Sequence, residues 1–174
     1  MICIPIVGAS MPKALEQITS AEKIADILEL RLDLIDSPDL KVLLNVVSKP
    51  VIVTNRSKLD GGQYRGTDDE RLQALHDALA AGADYVDIEV STPRELLQPF
   101  LEGHETSKII LSYHDFSHTP EDLNPLYETM DALPGGTIKI VTYARDIRDN
   151  LKMLKLLERA KKENKKLIGL CMGD

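Results

Sequence analysis

Two ionisable side chains lie in apolar, β-branched segments of the sequence, where a buried strand gains no stability from a lone charge. Lys139 lies within residues 137–141, and His114 lies near the end of residues 109–116. A lysine held among apolar neighbours is desolvated, which favours the neutral amine that attacks a ketone to form a Schiff base. A histidine nearby can transfer the proton that the imine makes acidic. The two segments therefore indicate imine chemistry.

Both residues also have an ordinary structural explanation. A single lysine in a strand is often an edge residue that prevents aggregation. A histidine at the end of a strand often lies in a loop, where its hydrogen bond is satisfied. These two segments alone do not choose between the chemical and the structural interpretation.

Composition and charge limit the class of protein. The chain has 174 residues, of which 43% are hydrophobic and 28% charged, as in an ordinary globular protein, and we expect one domain over residues 1–174. A net charge of −7 argues against nucleic acid or an anionic membrane as partner. The sequence has no apolar segment of membrane-spanning length and no charged leader before its first strand, which predicts a cytoplasmic protein.

Cysteines and histidines give no sign of a metal site. The sequence contains no CxxC, no HExxH and no cluster with the spacing of metal ligands, so we expect no metal. Cys3 and Cys171 lie in apolar segments near opposite ends of the chain and are predicted to be reduced core residues.

Short β-branched segments alternate with amphipathic segments, which is the pattern of a parallel sheet with crossover helices. The predicted strands are residues 2–7, 27–33, 51–56, 85–90, 109–114, 137–143 and 166–172. The predicted helices are residues 11–23, 38–48, 68–81, 93–103, 120–133 and 147–164. Ser37, Thr92 and Thr119 each precede a proline, and such pairs predict helix starts with a capping hydroxyl.

Polar residues recur at a constant interval from strand to strand. The interval is 25 residues from Arg31 to Arg56, from Glu89 to His114 and from His114 to Lys139. Equivalent polar positions on successive strands are expected in a barrel lined by alternate residues. An open doubly wound sheet is the alternative, but it usually carries a glycine-rich phosphate loop after the first strand, and none is present here. The pattern therefore favours an α/β fold of the TIM (β/α)8-barrel type.

Several charged residues are predicted on the inner faces of the strands. Alternation along the strand places Glu29 and Arg31 on one face and the neighbouring leucines on the other, toward the helices. Two inward charges are tolerated if they pair with each other or hold a polar ligand, and both explanations stay open. Arg56 ends its strand, where barrel enzymes place ligand-binding groups. Asp87 and Glu89 are interpreted as structural partners of inward cations.

A long polar segment, residues 56–66, separates a predicted strand from a predicted helix, and its glycines allow a tight path over a ligand. Asp60 in this segment can reach His114 and fix its tautomer, as carboxylates do for catalytic imidazoles. The alternative is that Asp60 serves only to form a turn.

Five motifs, in this order over almost the whole chain, together resemble type I 3-dehydroquinate dehydratase. They are ELRLD at residues 29–33, TNRS with DGGQY at 54–64, ADYVDIE at 83–89, SYHDF at 112–116 and IKI at 138–140. Each motif is weak alone, and the set is specific. The resemblance implies a (β/α)8 barrel that removes water from 3-dehydroquinate to give 3-dehydroshikimate in the shikimate pathway.

The resemblance also implies catalytic roles. Lys139 takes the position of the family's Schiff-base lysine, His114 that of its general acid/base, and Asp60 that of a glutamate beside the histidine. Lys139 would condense with the ketone, and the imine would acidify the adjacent carbon. His114 would remove that proton and then help the hydroxyl group to leave. No cofactor is implied, because the lysine itself is the electron sink.

Substrate-binding roles follow from the same resemblance. Glu29, Arg31 and Arg56 match residues that contact the hydroxyl groups of the substrate. Leu170 and Met172 lie where the family has apolar residues over the substrate ring.

The chain differs from that family at its C-terminal end. Seven strands are predicted and the eighth is missing, together with an arginine that binds the substrate carboxylate and a closing loop. A barrel without its last strand exposes two sheet edges, so the chain is expected to be unstable as a monomer or to self-associate, for example as a homodimer. Three explanations stay open: a sequence that stops at the last ordered residue, a truncated product, or part of a larger polypeptide such as a fusion to shikimate dehydrogenase.

Two other functions compete with a dehydratase. An aldolase-type barrel lyase would share the imine lysine, but it should carry a phosphate-binding glycine loop near the later strands, and none is visible. A truncated barrel could also persist as a non-catalytic binding or assembly module.

Overall fold

The computed structural model describes residues 1–173, in which parallel strands alternate with helices from end to end. The strands are β1 (Cys3–Ile6), β2 (Ile27–Arg31), β3 (Val51–Thr54), β4 (Tyr85–Glu89), β5 (Ile109–His114), β6 (Thr137–Tyr143) and β7 (Leu167–Met172). The helices are α1 (Met11–Ala21), α2 (Leu40–Val46), α3 (Asp68–Ala80), α4 (Arg94–Gly103), α5 (Asn124–Asp131) and α6 (Ile147–Lys162). No helix among these combines the length and the apolar character that a bilayer span requires.

The contacts divide the chain into two compact units, of which the first is Met1–Ile88. In this unit β2 pairs with β1 and β3, and β3 also pairs with β4, all in parallel. Leu28 and Leu30 of β2 are completely buried, as the alternating pattern predicts for the helix-facing side of the strand. They contribute to a core that also contains Ile18 of α1 and Leu75 of α3.

The second unit begins at Glu89. Its strands β5, β6 and β7 pair in parallel in that order. A Cβ atom added at Gly169 of β7 would stand 2.6 Å from Sδ of Met153 in α6. The helix α6 therefore lies close to β7. Met153 and Leu156 of α6 are buried, as is Ile140 of β6.

None of the three predicted capping residues, Ser37, Thr92 and Thr119, takes the N-cap position of its helix, and the structure gives the reason for two. Ser37 has a φ of 47°, and α2 instead begins after Asp39, whose carboxylate accepts a hydrogen bond from the Val42 N–H at 3.0 Å. Thr119 donates its hydroxyl to the Tyr143 carbonyl oxygen at 3.0 Å, and α5 begins only at Asn124. Helix α4 begins at Arg94, and its N-terminus has no side-chain cap.

Two further expectations need correction. The second strand ends at Arg31 rather than residue 33, because Leu32–Leu34 wind into a 3-10 turn. Cys3 is exposed rather than part of the core, and Cys171 is half-buried; both are free thiols.

Candidate active site

Polar residues of the first unit form a row across three strands. Arg31 of β2 is in register with Thr54 of β3, which is in register with Asp87 of β4. Residues in register on parallel strands project to the same face of the sheet. Glu29 projects to this face as well, and its carboxylate accepts a hydrogen bond from the Thr54 hydroxyl at 2.6 Å. The predicted inward polar face is therefore present in this unit.

Arg31 pairs with Asp33 in the turn that follows β2. Its Nε donates to Oδ1 of Asp33 at 2.9 Å, and its Nη2 donates to Oδ2 at 2.8 Å. The sequence had left open an ion pair between Glu29 and Arg31. The structure instead pairs Arg31 with Asp33, two residues further along the chain, through two hydrogen bonds. Sequence reasoning had given Asp33 no role.

Arg56 forms a buried ion pair with Asp87. Its Nη1 lies 2.8 Å from Oδ1 of Asp87, with side-chain exposures of 4% and 0%. Asp87 is thus the structural partner of an inward cation, as predicted. Glu89 is also buried, and its pairing with a cation stays a prediction.

The segment after Arg56 turns back over its own start. Gly61 has a φ of 78°, and a Cβ atom at Gly62 would stand 2.1 Å from the Arg56 carbonyl oxygen, so both positions require glycine. Asp60 is buried, and its Oδ2 accepts a hydrogen bond from the Ser57 hydroxyl at 3.0 Å. Asp60 therefore takes part in the turn, as the alternative interpretation holds, whereas its contact with His114 stays a prediction.

Lys139 and His114 project from neighbouring strands of the second unit. Ser112 of β5 is in register with Lys139 of β6, and His114 is in register with Val141. Ser112 and His114 lie two positions apart and so share one face, which is also the face of Lys139 and Val141. Strand geometry places the Cα atoms of Lys139 and His114 about 8 Å apart. The lysine and histidine side chains, which project from the same face, together can cover that distance.

The surroundings of Lys139 differ from the sequence expectation. Ile138 and Ile140 are buried, but they point to the opposite face of β6. On its own face the half-buried Lys139 lies beside buried Ser112 and is in register with Ile168 of β7. Its apolar neighbours therefore come from the next strand and from Val141.

The last strand adds apolar side chains to the Lys139 face. Leu170 is in register with Val141, and Met172 is in register with Tyr143. Leu170 is partly exposed and Met172 is half-buried. Both residues predicted to lie over a substrate ring are thus on the same face of the second unit as Lys139.

Phe116 is a neighbour of His114 to which sequence reasoning gave no role. Its ring stacks on that of His114, with centroids 6.1 Å apart and an interplanar angle of 11°. The aromatic residue two positions after the histidine is the signal that could have indicated it. In the segment that follows Phe116, the hydroxyl of Thr119 lies 2.8 Å from that of Thr142 in β6. This hydrogen bond joins the segment to the strand.

Residues 1–173 contain no group of three or more histidine, cysteine or acidic side chains that could hold a metal ion. Strands β2 to β5 end in Arg31, Thr54, Glu89 and His114, and each is followed by a helix. This pattern is typical of (β/α)-barrel enzymes, which carry their functional groups at the carboxyl ends of their strands.

The comparisons with known proteins identify the family. The family model described as type I 3-dehydroquinase matches residues 2–174, so the chain belongs to the type I 3-dehydroquinase family, whose members are hydro-lyases. The 3-dehydroquinate dehydratase of Methanococcus maripaludis is 34% identical, over 100% of this chain and 80% of that protein. A chloroplastic bifunctional 3-dehydroquinate dehydratase/shikimate dehydrogenase of Arabidopsis thaliana is 33% identical, over 100% of this chain and 30% of that protein.

A solved structure supports the predicted fold class. The 3-dehydroquinate dehydratase from Geobacillus kaustophilus has a TM-score of 0.87 and 24% sequence identity, over 99% of this chain and 74% of that chain. The α/β fold of the TIM-barrel type, with seven strands in this chain, is thereby confirmed.

Proposed function

We propose that this chain dehydrates 3-dehydroquinate to 3-dehydroshikimate, a step of the shikimate pathway toward aromatic amino acids, through a Schiff base on Lys139. The observation that carries the proposal is the common face of Lys139 and His114 on paired strands, in a chain of the type I 3-dehydroquinase family. A nucleophilic amine and an imidazole held this close are the two groups that an imine-based dehydration requires.

The reaction begins when the neutral amine of Lys139 attacks the substrate ketone and water leaves, which forms the imine. The protonated imine withdraws electrons from the adjacent carbon, and His114 removes a proton from that carbon. The resulting electron pair forms the C=C bond as the hydroxyl group leaves, and His114 returns its proton to the departing oxygen. Water then hydrolyses the imine and releases Lys139.

Other residues are proposed to bind and orient the substrate. Glu29, Arg31 and Arg56 offer charged groups to its oxygens, since charge-assisted hydrogen bonds are strong and directional. Met172 is proposed to pack against the ring. Asp60 is proposed to support His114, although its shorter side chain reaches less far than the glutamate of the family.

The experiment that tests the proposal is borohydride reduction of the imine. The purified chain is incubated with 3-dehydroquinate and borohydride, and the modified residue is located by mass spectrometry. An adduct on Lys139 together with formation of 3-dehydroshikimate is the expected result. A folded chain that gives neither would overturn the proposal and favour a non-catalytic module. An adduct without turnover would indicate that imine formation is intact and a later step is impaired.

The setting of this activity is also proposed. The Arabidopsis relative is bifunctional with a shikimate dehydrogenase, and a fusion of this kind is one form of association that we propose for this chain. A homodimer is the other form of association that we propose, and the cytoplasm is the proposed location. That residues 1–174 fold as one domain stays a prediction.

A further inference from the structure

Asp33 holds Arg31 in a way that the proposed function does not yet use. The Asp33 side chain is fully buried, whereas that of Arg31 is 19% exposed. Both carboxylate oxygens face the same edge of the guanidinium, at 2.9 Å from Nε and 2.8 Å from Nη2. A buried carboxylate with two parallel hydrogen bonds fixes the plane of the guanidinium as well as its position.

The same carboxylate also holds the loop between β3 and α3. Oδ2 of Asp33 accepts a hydrogen bond from the backbone N–H of Gln63 at 3.1 Å. Gln63 directly follows Gly61 and Gly62, the two glycines that let the loop turn back over Arg56. One buried acidic group is therefore joined both to a half-buried cation and to the loop beside it.

Asp33 leaves three N–H groups of the Arg31 guanidinium available. A guanidinium has five N–H groups, of which Nε and one of Nη2 donate to Asp33. Both N–H groups of Nη1 and the second one of Nη2 have no acceptor within residues 1–173. These three N–H groups lie on the edges of the guanidinium that Asp33 does not occupy, and they suit a ligand with hydroxyl or carboxylate oxygens.

We propose that Asp33 is a positioning residue for Arg31, which it orients so that the free N–H groups meet the oxygens of the substrate. This inference rests on the proposed function, because it assigns Arg31 to substrate binding. Without Asp33 the guanidinium loses its fixed plane, and a flexible arginine must be ordered each time a ligand binds.

A purely structural ion pair predicts a different outcome. If Asp33 only stabilises the turn after β2, its loss lowers the folded fraction and leaves the affinity of the folded molecules unchanged. A positioning residue instead changes the concentration at which binding saturates. The quantity to measure is therefore the half-saturating concentration of 3-dehydroquinate, obtained from the rate of borohydride trapping at Lys139 and from steady-state turnover.

The test compares Asp33→Asn with Asp146→Asn. Asp146 is a matched control, since it also accepts two hydrogen bonds from an arginine two residues away, with Arg148 Nε at 2.8 Å and Nη2 at 3.2 Å, at an exposed helix start. Asp33→Asn is expected to raise the half-saturating concentration roughly 10- to 100-fold, the range that one charged hydrogen bond supplies, with a much smaller change in the maximal rate. Asp146→Asn is expected to leave both quantities unchanged.

A double-mutant cycle shows whether Asp33 acts through Arg31. Arg31→Ala is expected to raise the half-saturating concentration, and Asp33→Asn is expected to add little in that background. Asp33→Glu, which retains the carboxylate, should recover part of the affinity if Asp33→Asn folds poorly. Suppose that the wild-type chain is trapped but Asp33→Asn has an unchanged half-saturating concentration, or that the effects in the cycle are additive. Either result would overturn the positioning role of Asp33 and leave the proposed function standing. Absence of trapping in the wild-type chain would overturn the proposed function and this role with it.

Discussion

His114 lies one side-chain position beyond Lys139 along the paired strands β5 and β6, on the same face of the sheet. The parallel ladder fixes this offset, because Ser112 and not His114 is in register with Lys139. A lysine side chain that extends along the strand toward its carboxyl end approaches the imidazole, and a substrate carbon next to the imine would lie between the two groups. The offset therefore agrees with the imine proposed for Lys139.

Replacement of Lys139 by methionine is expected to abolish both the reduced adduct and turnover, because the change removes the amine and keeps a similar volume. The melting temperature should change little. Lys161→Met on the exposed surface of α6 is the control, and it should retain the adduct and the activity. An adduct of undiminished yield in Lys139→Met would mean that another amine forms the imine, and loss of folding would make Lys139 a structural residue.

Replacement of His114 by alanine is expected to separate imine formation from proton transfer. The adduct on Lys139 should still form, whereas turnover should fall about 10²- to 10⁴-fold, the usual contribution of a general acid/base. His76→Ala in α3 removes an exposed imidazole and should leave turnover unchanged. If turnover of His114→Ala equals that of the wild type, the proton is transferred by another group.

Replacement of Asp87 by alanine is expected to lower the free energy of unfolding by about 3–5 kcal/mol, because it leaves the positive charge of Arg56 buried without that carboxylate. Urea unfolding measures the loss. Glu158→Ala breaks the ion pair of Glu158 with Lys162, which lies on the exposed surface of α6, and should cost at most about 1 kcal/mol. Similar losses in the two variants would show that the Arg56–Asp87 pair contributes no more than a surface pair.

Replacement of Tyr127 by phenylalanine tests a pH effect. Burial, with the hydrogen bond to Glu163 and the charge of that carboxylate, raises the pKa of Tyr127 to about 12. The unfolded chain releases this proton near pH 10, whereas the folded chain keeps it, so the contribution to stability is complete below pH 10 and is lost as the pH rises toward 12.

The free energy of unfolding of the wild type should therefore fall more steeply between pH 10 and pH 12 than that of Tyr127→Phe. Urea unfolding across this range measures both slopes. Parallel slopes in the two proteins would mean that Tyr127 titrates alike in the folded and unfolded chains.

The strands and the inward polar residues could be predicted from the sequence because their physical causes are local. Apolar, β-branched segments and side-chain alternation identify the buried strands and place Leu28 and Glu29 on opposite faces. The interval between Lys139 and His114 indicated neighbouring strands, and the resemblance to a family supplied their roles.

Helix starts and pairing partners could not be predicted in the same way, because they depend on distant parts of the chain. Thr119 precedes a proline, as a capping residue should, but its hydroxyl is bonded to Tyr143, 24 residues further along. Asp33 was expected to extend a strand, and its hydrogen bonds to Arg31 and Gln63 became visible only with the turn after β2. Such competition between local preference and tertiary partners leaves no mark in the sequence itself.

Substitution of Gly169 can shift the apolar side chains of β7 without replacing them. A methyl group there would stand 2.6 Å from Sδ of Met153 and 3.2 Å from Cδ2 of Leu157, so the methionine or the helix α6 would have to move. Leu170 and Met172 lie on the opposite side of this strand and touch none of the introduced atoms. Substitutions of increasing size at this position would thus displace β7 by small steps, and the spacing above Lys139 could be changed while every residue on that face keeps its chemical identity.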